Sequence, residues 1–297
     1  MVGRLNCSVC KKNAVFLSPL LCKEHFIYYF EKKVEGTIKK FGLINKKERA
    51  VVAVSGGKDS MSLLYVLNKK GYNVTALAID EGIADYREET LETMKKFCTK
   101  NGVPYRVVSF KKEFGKTLDE IMILHKERPC SVCGVFRRYL LNKYSKGFDV
   151  LATGHNMDDE AQAILMNLIK TNISLFNRLG PVSGKMKSKK FTRRVKPFYF
   201  CSEKEIMVYS FLNNLNTGFN ECPNVEFAFR LRIRDILNQI STKKPEIKRK
   251  IIDWFLKNKE EKDNSLHEED VSECDTCGEA SAKGICSACA FMKKINK

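Results

Sequence analysis

The chain reads as an α/β protein built on a doubly wound parallel sheet, with a small metal module at each end. Three observations predict this. Short valine- and isoleucine-rich runs alternate with amphipathic stretches, the pattern of βαβ units. A glycine-rich turn joins the first such run to the first such helix, and cysteines fall in close pairs near both termini.

The first strand is Ala50 to Val54, and helical spacing resumes from Ser60 to Leu67. Between them lies Ser55-Gly56-Gly57-Lys58-Asp59-Ser60. Two glycines permit backbone angles closed to other residues, so amides can converge on an anion at the positive end of the following helix. Ser55 and Ser60 add hydroxyl donors and Lys58 a point charge. The spacing fits neither the Walker loop nor the Rossmann fingerprint.

Val74 to Ile79 is the second strand and ends at Asp80-Glu81-Gly82. In a doubly wound sheet ligands bind beyond the carboxyl ends of the strands, which puts Ile79 and Asp80 beside a nucleotide. Arg87 to Lys100 is a polar-faced helix, Tyr105 to Phe110 the third strand, and Thr117 to Lys126 a further helix. Pro129-Cys130-Ser131-Val132-Cys133-Gly134 then opens an Arg-rich helix over Val135 to Tyr144.

Asp149 to Thr153, the fourth strand, runs into Gly154-His155-Asn156-Met157-Asp158-Asp159-Glu160 and an apolar helix reaching Ile169. Carboxylates at a helix start are often simple dipole-favoured caps. Here they lie past a strand's carboxyl end, so Asp158 or Asp159 is a candidate to position Mg²⁺, and Gly154 to allow close approach of a nucleotide. His155 is equally a candidate base or a structural histidine.

Ser183 to Lys196, the densest basic run, is expected to be a loop contacting phosphates. Glu203 to Leu215 is an amphipathic helix; Glu221-Cys222-Pro223-Asn224 precedes another, Phe227 to Ile240, bearing Arg230, Arg232 and Arg234.

The termini are read from their ligands. Cys7, Cys10, Cys22 and His25 at one end, and Cys274, Cys277, Cys286 and Cys289 at the other, each supply the closed set that tetrahedral Zn²⁺ requires. Both sites are expected to be structural, since segments this short cannot bury a core. The organisation expected is an N-terminal zinc module (1–30), a catalytic domain (31–258), a linker (259–273) and a C-terminal zinc module (274–297).

Composition narrows the partners. A formal charge of +18 with a pI near 9.3 points to nucleic acid, although basic surfaces also arise without such a partner. No apolar run approaches the roughly 20 residues of a membrane span. No charged-then-apolar leader is visible, so the expected compartment is the cytoplasm. Twelve cysteines in such a chain argue for metal over disulfides. Cys98 and Cys201 read as small buried hydrophobes. For Cys130, Cys133 and Cys222 two readings stand: ligands of a cluster that leaves one iron open, or a redox pair with Cys222 carrying a persulfide.

The loop Ser55 to Ser60 resembles the PP-loop of the ATP pyrophosphatases, which cleave ATP between its α and β phosphates. With Cys130-x-x-Cys133, Cys222-Pro223 and a zinc module at each end, the whole chain resembles the TtcA/TtuA family of tRNA thiolation enzymes, in the branch that makes 2-thiouridine. That resemblance implies a PP-loop fold of the adenine nucleotide α-hydrolase type and a homodimer that binds tRNA. It implies adenylation of uridine at its C2 oxygen, sulfur insertion, and an iron–sulfur cluster, 4Fe-4S by expectation, on Cys130, Cys133 and Cys222. Nucleotide contacts map onto Ala53, Val54, Ser55, Asp59, Ile79, Gly154 and Asp159. The catalytic candidates are Lys58, Asp59 and Asp159 with the three cysteines. ATP and Mg²⁺ are the implied nucleotide and ion. The sulfur donor is a ubiquitin-like thiocarboxylate protein, a persulfide or sulfide. One departure is Arg137, where some relatives carry lysine.

Rival readings are a PP-loop enzyme that uses a persulfide without a cluster, one with another nucleophile such as a lysidine synthase, and a non-enzymatic zinc RNA-binding protein. The last leaves the phosphate loop without a purpose.

Overall fold

The computed structural model describes residues 5–295 apart from 125–127, 184–190, 216, 218–221, 225–228, 260–271 and 282–283. Most of the expected linker and half of the basic run, including Lys187, Lys189 and Lys190, lie outside the described residues.

The chain begins with a hairpin, β1 (Phe16–Leu17) and β2 (Leu20–Leu21), and helix α1 (Lys23–Phe41). Next come β3 (Arg49–Ala53), α2 (Lys58–Lys69), β4 (Asn73–Asp80), α3 (Arg87–Lys100), β5 (Tyr105–Ser109), α4 (Phe110–Phe114), α5 (Leu118–Leu124) and α6 (Pro129–Ser145). They are followed by β6 (Val150–Thr153), α7 (Met157–Ile169), α8 (Ile173–Asn177), β7 (Val182–Ser183), β8 (Arg193–Val195), α9 (Glu203–Leu212), α10 (Phe229–Lys243) and α11 (Ile247–Asn258). The C-terminal end holds β9 (Ser272–Glu273), β10 (Ala280–Ser281) and α12 (Ser287–Ile295).

The central sheet has the order β5-β4-β3-β6-β8-β7, and every pairing is parallel except β7 with β8. From β3 the chain winds outward through β4 to β5, then returns to lay β6 on the other side of β3. That reversal makes the switch point of a doubly wound sheet, where a crevice opens beyond the strand ends.

Alternation along the strands divides the core. Ala50, Val52 and Val54 of the first strand segment, with Val74, Ala76, Ala78, Val150 and Ala152, face one side. Helices α1, α2, α3 and α9 cover that side. Val51, Leu77, Ile79 and Leu151 face the other, under α5 and α6. Each terminal module joins one of these cores. Cys7, Phe16 and Cys22 pack with the first, and Cys274, Cys286, Ala288 and Ile295 with the second. Helix α1 runs unbroken across residue 30, burying Phe26, Phe30, Val34 and Ile38 on one stripe.

Two expected elements differ. The basic run is not wholly a loop: Arg193–Val195 forms β8, hydrogen-bonded beside β6, with Val195 buried. Arg193 and Lys196, among its described cations, are spent locally. Arg193 reaches Glu48 at 2.9 Å and the Gly42 carbonyl at 2.9 Å, and Lys196 reaches buried Glu160 at 2.6 Å. The helix expected over Glu203 to Leu215 stops at Leu212, where Asn213 and Asn214 take over and Asn214 adopts φ 52. Among the described residues, no helix is long and apolar enough to cross a membrane.

Candidate active site

A cleft of about 250 Å³ opens at the β3/β6 switch point. Ala53, Val54, Ser55, Asp59 and Ser60 line it from the phosphate loop, and Leu77, Ile79 and Glu81 from the end of β4. Thr153, Gly154, His155 and Asp159 come from the end of β6, Arg137 and Leu141 from α6, and Arg87 and Arg230 from α3 and α10. Gly56, Gly57, Lys58 and Asp80 are not among the lining residues. Asp80 instead accepts from the Gly82 amide at 3.0 Å and shapes the turn after β4.

The loop is held from within. Ser60 Oγ accepts from the Ser55 amide at 3.1 Å and donates to the Gly57 carbonyl at 3.0 Å. Gly56 adopts φ +87, and a Cβ there would lie 2.4 Å from the Thr90 carbonyl oxygen, so only glycine fits. Gly154 has a different reason: its Cβ would lie 3.0 Å from the backbone of Asp59 and Ser60. Its bare backbone therefore lets the β6 loop close on the first turn of α2. That turn has no side-chain cap, whereas α7 and α9 each start with a full capping box. Its first amides are the donors a phosphate would satisfy.

Charges cluster around the loop. Lys58 bridges Asp59 at 3.2 Å and Glu203 of α9 at 2.8 Å. Burial opposes the Lys58 charge, but these two carboxylates outweigh it and raise its pKa. Asp59 is pushed above the ordinary carboxylate range by burial, assisted by Asp159 and Glu203 and only partly offset by Lys58. Of the paired candidates Asp158 and Asp159, only Asp159 lines the cleft, where it meets Arg230 at 3.2 Å. Asp158 is buried in structural work, accepting from the Glu203 amide at 2.8 Å and pairing with Lys248 of α11. His155 Nδ1 lies 2.9 Å from Thr153 Oγ1, and desolvation lowers its pKa against the opposing pull of Asp159.

The third wall is α6, through Arg137 and Leu141; Cys130, Cys133 and Cys222 are not among the lining residues. Pro129 starts α6, so Cys130 and Cys133 fall in its first turns. Cys130 Sγ lies 3.4 Å from the Asn224 carbonyl, which draws the Cys222-Pro223 segment to that end. Cys222 is near enough to raise the pKa of both other thiols, though burial is the larger cause; Cys133 is pushed up to about 11. A thiol held protonated so firmly needs a bound cation to ionise it. Cys133 and Cys222 pack at the edge of the second core while Cys130 is exposed, and these three donors would suit iron although they are not drawn into a set as tight as the terminal ones.

The terminal sets are tighter. Cys7, Cys10, Cys22 and His25 place their ligand atoms within 4.8 Å of one another, as do Cys274, Cys277, Cys286 and Cys289. Burial works against ionising Cys7 and Cys274, but surrounding backbone amides prevail and bring both to about 6. The Cys286 amide, for instance, lies 3.2 Å from Cys274 Sγ. Such donor-stabilised thiolates fit a closed zinc shell.

Several residues in or beside the cleft escaped the reading of the sequence. Glu81, Arg87 and Glu203 belong to no motif, and Glu203 lies 145 positions from the Lys58 it binds. Arg87 leaves one trace, as the first residue of a helix just beyond a strand end.

The chain matches the PP-loop domain family over residues 28–240. It is 38% identical over 301 residues to the tRNA-5-methyluridine(54) 2-sulfurtransferase of Pyrococcus horikoshii, across 98% of this chain and 96% of that protein. It is 33% identical over 310 residues to the cytoplasmic tRNA 2-thiolation protein 1 of Candida glabrata, across 98% and 86%. Among solved structures, the U34-tRNA thiolase NcsA from Methanococcus maripaludis with its 4Fe-4S cluster superposes with a TM-score of 0.81 at 32% identity, covering 99% of this chain and 97% of that one.

Proposed function

The chain belongs to the PP-loop family of tRNA 2-thiolation enzymes, and from that premise we propose that it is an ATP-dependent tRNA sulfurtransferase making 2-thiouridine. The observation that carries this reading is a single cleft touched by both the phosphate loop and, through Arg137, the cysteine helix.

In this reading the uncapped first turn of α2, with Ser55 and Ser60, binds the phosphates of ATP. Asp59 and Asp159, on facing walls, would hold Mg²⁺, and a divalent ion would offset the burial and the like-charged neighbours that raise Asp59. Lys58, tied to Asp59 and Glu203, fixes the acid next to it. The uridine O2 attacks the α phosphorus, pyrophosphate leaves, and the C2–O bond now carries AMP as its leaving group. Hydrosulfide then attacks C2, the former O2 departs with AMP, and the sulfur-borne proton passes to N3 to leave the thione; a persulfide donor would first need a thiol to reduce its outer sulfur to that level. Cys130, Cys133 and Cys222 would hold an iron–sulfur cluster, which supplies, when bound, an iron that the chain leaves unligated. The target base must leave its stack to enter, at a cost of a few kcal/mol.

Zinc in the two closed sets would brace the opposite faces of the sheet. The same reading makes the protein a cytoplasmic homodimer that docks tRNA by shape and phosphate contacts and draws sulfur from a thiocarboxylate protein, a persulfide or sulfide. The division 1–30, 31–258, 259–273 and 274–297 belongs to it too.

The test is direct. Anaerobically prepared protein, incubated with ATP, unmodified tRNA and sulfide, should yield AMP and 2-thiouridine, detected by mass spectrometry of the digested nucleosides. Fragment mapping then assigns the wobble or the T-loop uridine. AMP without any thiolated nucleoside would point to another nucleophile.

A further inference from the structure

Glu81 sits at the turn after β4, 6% exposed, and receives two guanidinium groups. Arg87 Nε lies 2.8 Å from Oε2 and Arg137 Nε 3.3 Å from Oε1. The two arginines come from different walls. Arg87, buried at the start of α3, donates to the main-chain carbonyls of Ile79 and Ser55 and to the Thr90 hydroxyl. It thereby ties the last residues of β4 to the phosphate loop. Arg137 is on α6, four residues after Cys133; burial opposes its charge, while Glu81 first and then the nearby Cys133 favour it. A continuous polar chain thus runs Ser55, Arg87, Glu81, Arg137, all four lining the cleft, and ends four residues along α6 from Cys133.

The electrostatics divide the labour. Glu81 offers one negative charge to two cations. Arg87 is enclosed and its fork is filled by carbonyls, so its orientation is over-determined. Arg137 keeps 45% of its side chain exposed, and among the described residues its ion-pair partner is Glu81. Without the carboxylate, a flexible four-bond stem would leave its charge free to swing out of the cleft.

We propose that Glu81 is a positioning residue: it fixes the Arg137 guanidinium at the cleft in register with the phosphate loop, so that the nucleotide and the cysteine helix meet in one geometry. This rests on the thiolation reading above and adds to it the element that aligns the two half-reactions. Misplacing a reacting group by about 1 Å costs on the order of a hundredfold in rate.

The experiment is a double-mutant cycle on full-length, anaerobically prepared protein, with concentration normalised by ATP-binding stoichiometry. Glu81→Gln keeps an acceptor for Arg87 but removes the charge. It should lower the kcat of thiolation about tenfold to a hundredfold with KM for ATP essentially unchanged. Arg137→Gln should lose a similar factor, the double variant should lose no more than either single, and Arg137→Lys should recover most of the rate. A wild-type rate for Arg137→Gln, or losses that multiply in the double variant, would overturn the proposal. If Glu81→Gln does not fold, Arg137→Gln and Arg137→Lys decide alone: loss with rescue supports it, and a wild-type rate for Arg137→Gln refutes it. Failure of the wild type itself to make 2-thiouridine would count against the thiolation reading, not against the alignment.

Discussion

Asn156 donates through Nδ2 to Oδ1 of Asp59 at 3.2 Å, so the residue that caps α7 also holds the acid of the phosphate loop. The bond crosses the switch point from the β6 side to the β3 side. It makes the two halves of the cleft one unit, and it sets up the first expectation.

Asp59→Asn should lower ATP-to-AMP turnover by about a hundredfold or more, as loss of an electrostatic catalyst does, while leaving the fold at least as stable. The sign follows from the raised carboxyl pKa. The folded state binds the proton more tightly than the unfolded one, so stability is present below the unfolded pKa and falls as pH rises through the folded value. Asparagine cannot ionise and escapes that loss. Melting temperatures at neutral pH should therefore match or exceed wild type, converging in acid. Normal AMP release by the variant would sink the phosphate-loop assignment.

The two loop glycines should behave differently. Gly56→Ala forces a side chain into φ +87 and against the Thr90 carbonyl; the backbone term alone is about 1–3 kcal/mol. Gly57 has ordinary extended angles, and an added Cβ would meet only Ser55 Oγ, at 3.6 Å. Urea unfolding should show a clear drop in midpoint for the first and almost none for the second. Equal losses would mean that the loop is not built as described.

Much of this site was legible in advance, for reasons that are local. A phosphate loop, a Cys-x-x-Cys at a helix start and ligand pairs at the termini are short-range patterns whose chemistry demands their spacing. What stayed hidden is what the fold brings from afar. Nothing near Lys58 announces Glu203, and nothing near Cys133 announces Glu81. The basic run was misjudged for a related reason. A strand at Arg193–Val195 is made by pairing with β6 and β7, and three residues with two arginines carry no alternating apolar signal.

That correction changes which cations should meet tRNA. Arg193 and Lys196 are committed to Glu48 and Glu160. Neutralising Arg193 should lower stability more than it alters tRNA affinity. Lys187, Lys189 and Lys190 together should flatten the plot of log affinity against log salt by about 2 to 3 units, near one per phosphate contact. An unchanged slope in filter binding would return them to the solvated surface.

The C-terminal cysteine set, proposed to hold zinc, should matter to the cysteine helix before it matters to ATP. Phe291 of α12 meets Phe136 of α6, with ring centroids 6.3 Å apart, in the cluster that also holds Cys274 and Cys286. Cys274→Ser with Cys277→Ser should release zinc, loosen α6 and reduce thiolation. Calorimetric affinity for ATP should change by no more than about 0.5 kcal/mol, as expected of separate sites. Full stability and full thiolation in that variant would exclude a structural metal.

The last expectation concerns Cys130, Cys133 and Cys222, because it separates the thiolase from its rivals. The pair opens α6, and the single residue precedes Pro223, whose ring restrains the chain next to the Asn224 carbonyl that Cys130 meets. If all three are ligands, each single Ser substitution should lower iron content and end thiolation. ATP binding should persist, since the phosphate loop stands at the end of β3, on another wall of the cleft. Raised thiol pKa values sharpen the test. Burial and, to a lesser degree, Cys222 raise Cys130 and Cys133, the latter to about 11. Removing iron with a chelator should therefore leave protonated, slowly alkylated thiols at neutral pH instead of reactive thiolates. If Cys222 instead carries a persulfide, Cys222→Ser would leave metal content untouched and wild-type protein would yield a trapped persulfide. Iron-free protein that still thiolates tRNA would refute the cluster outright.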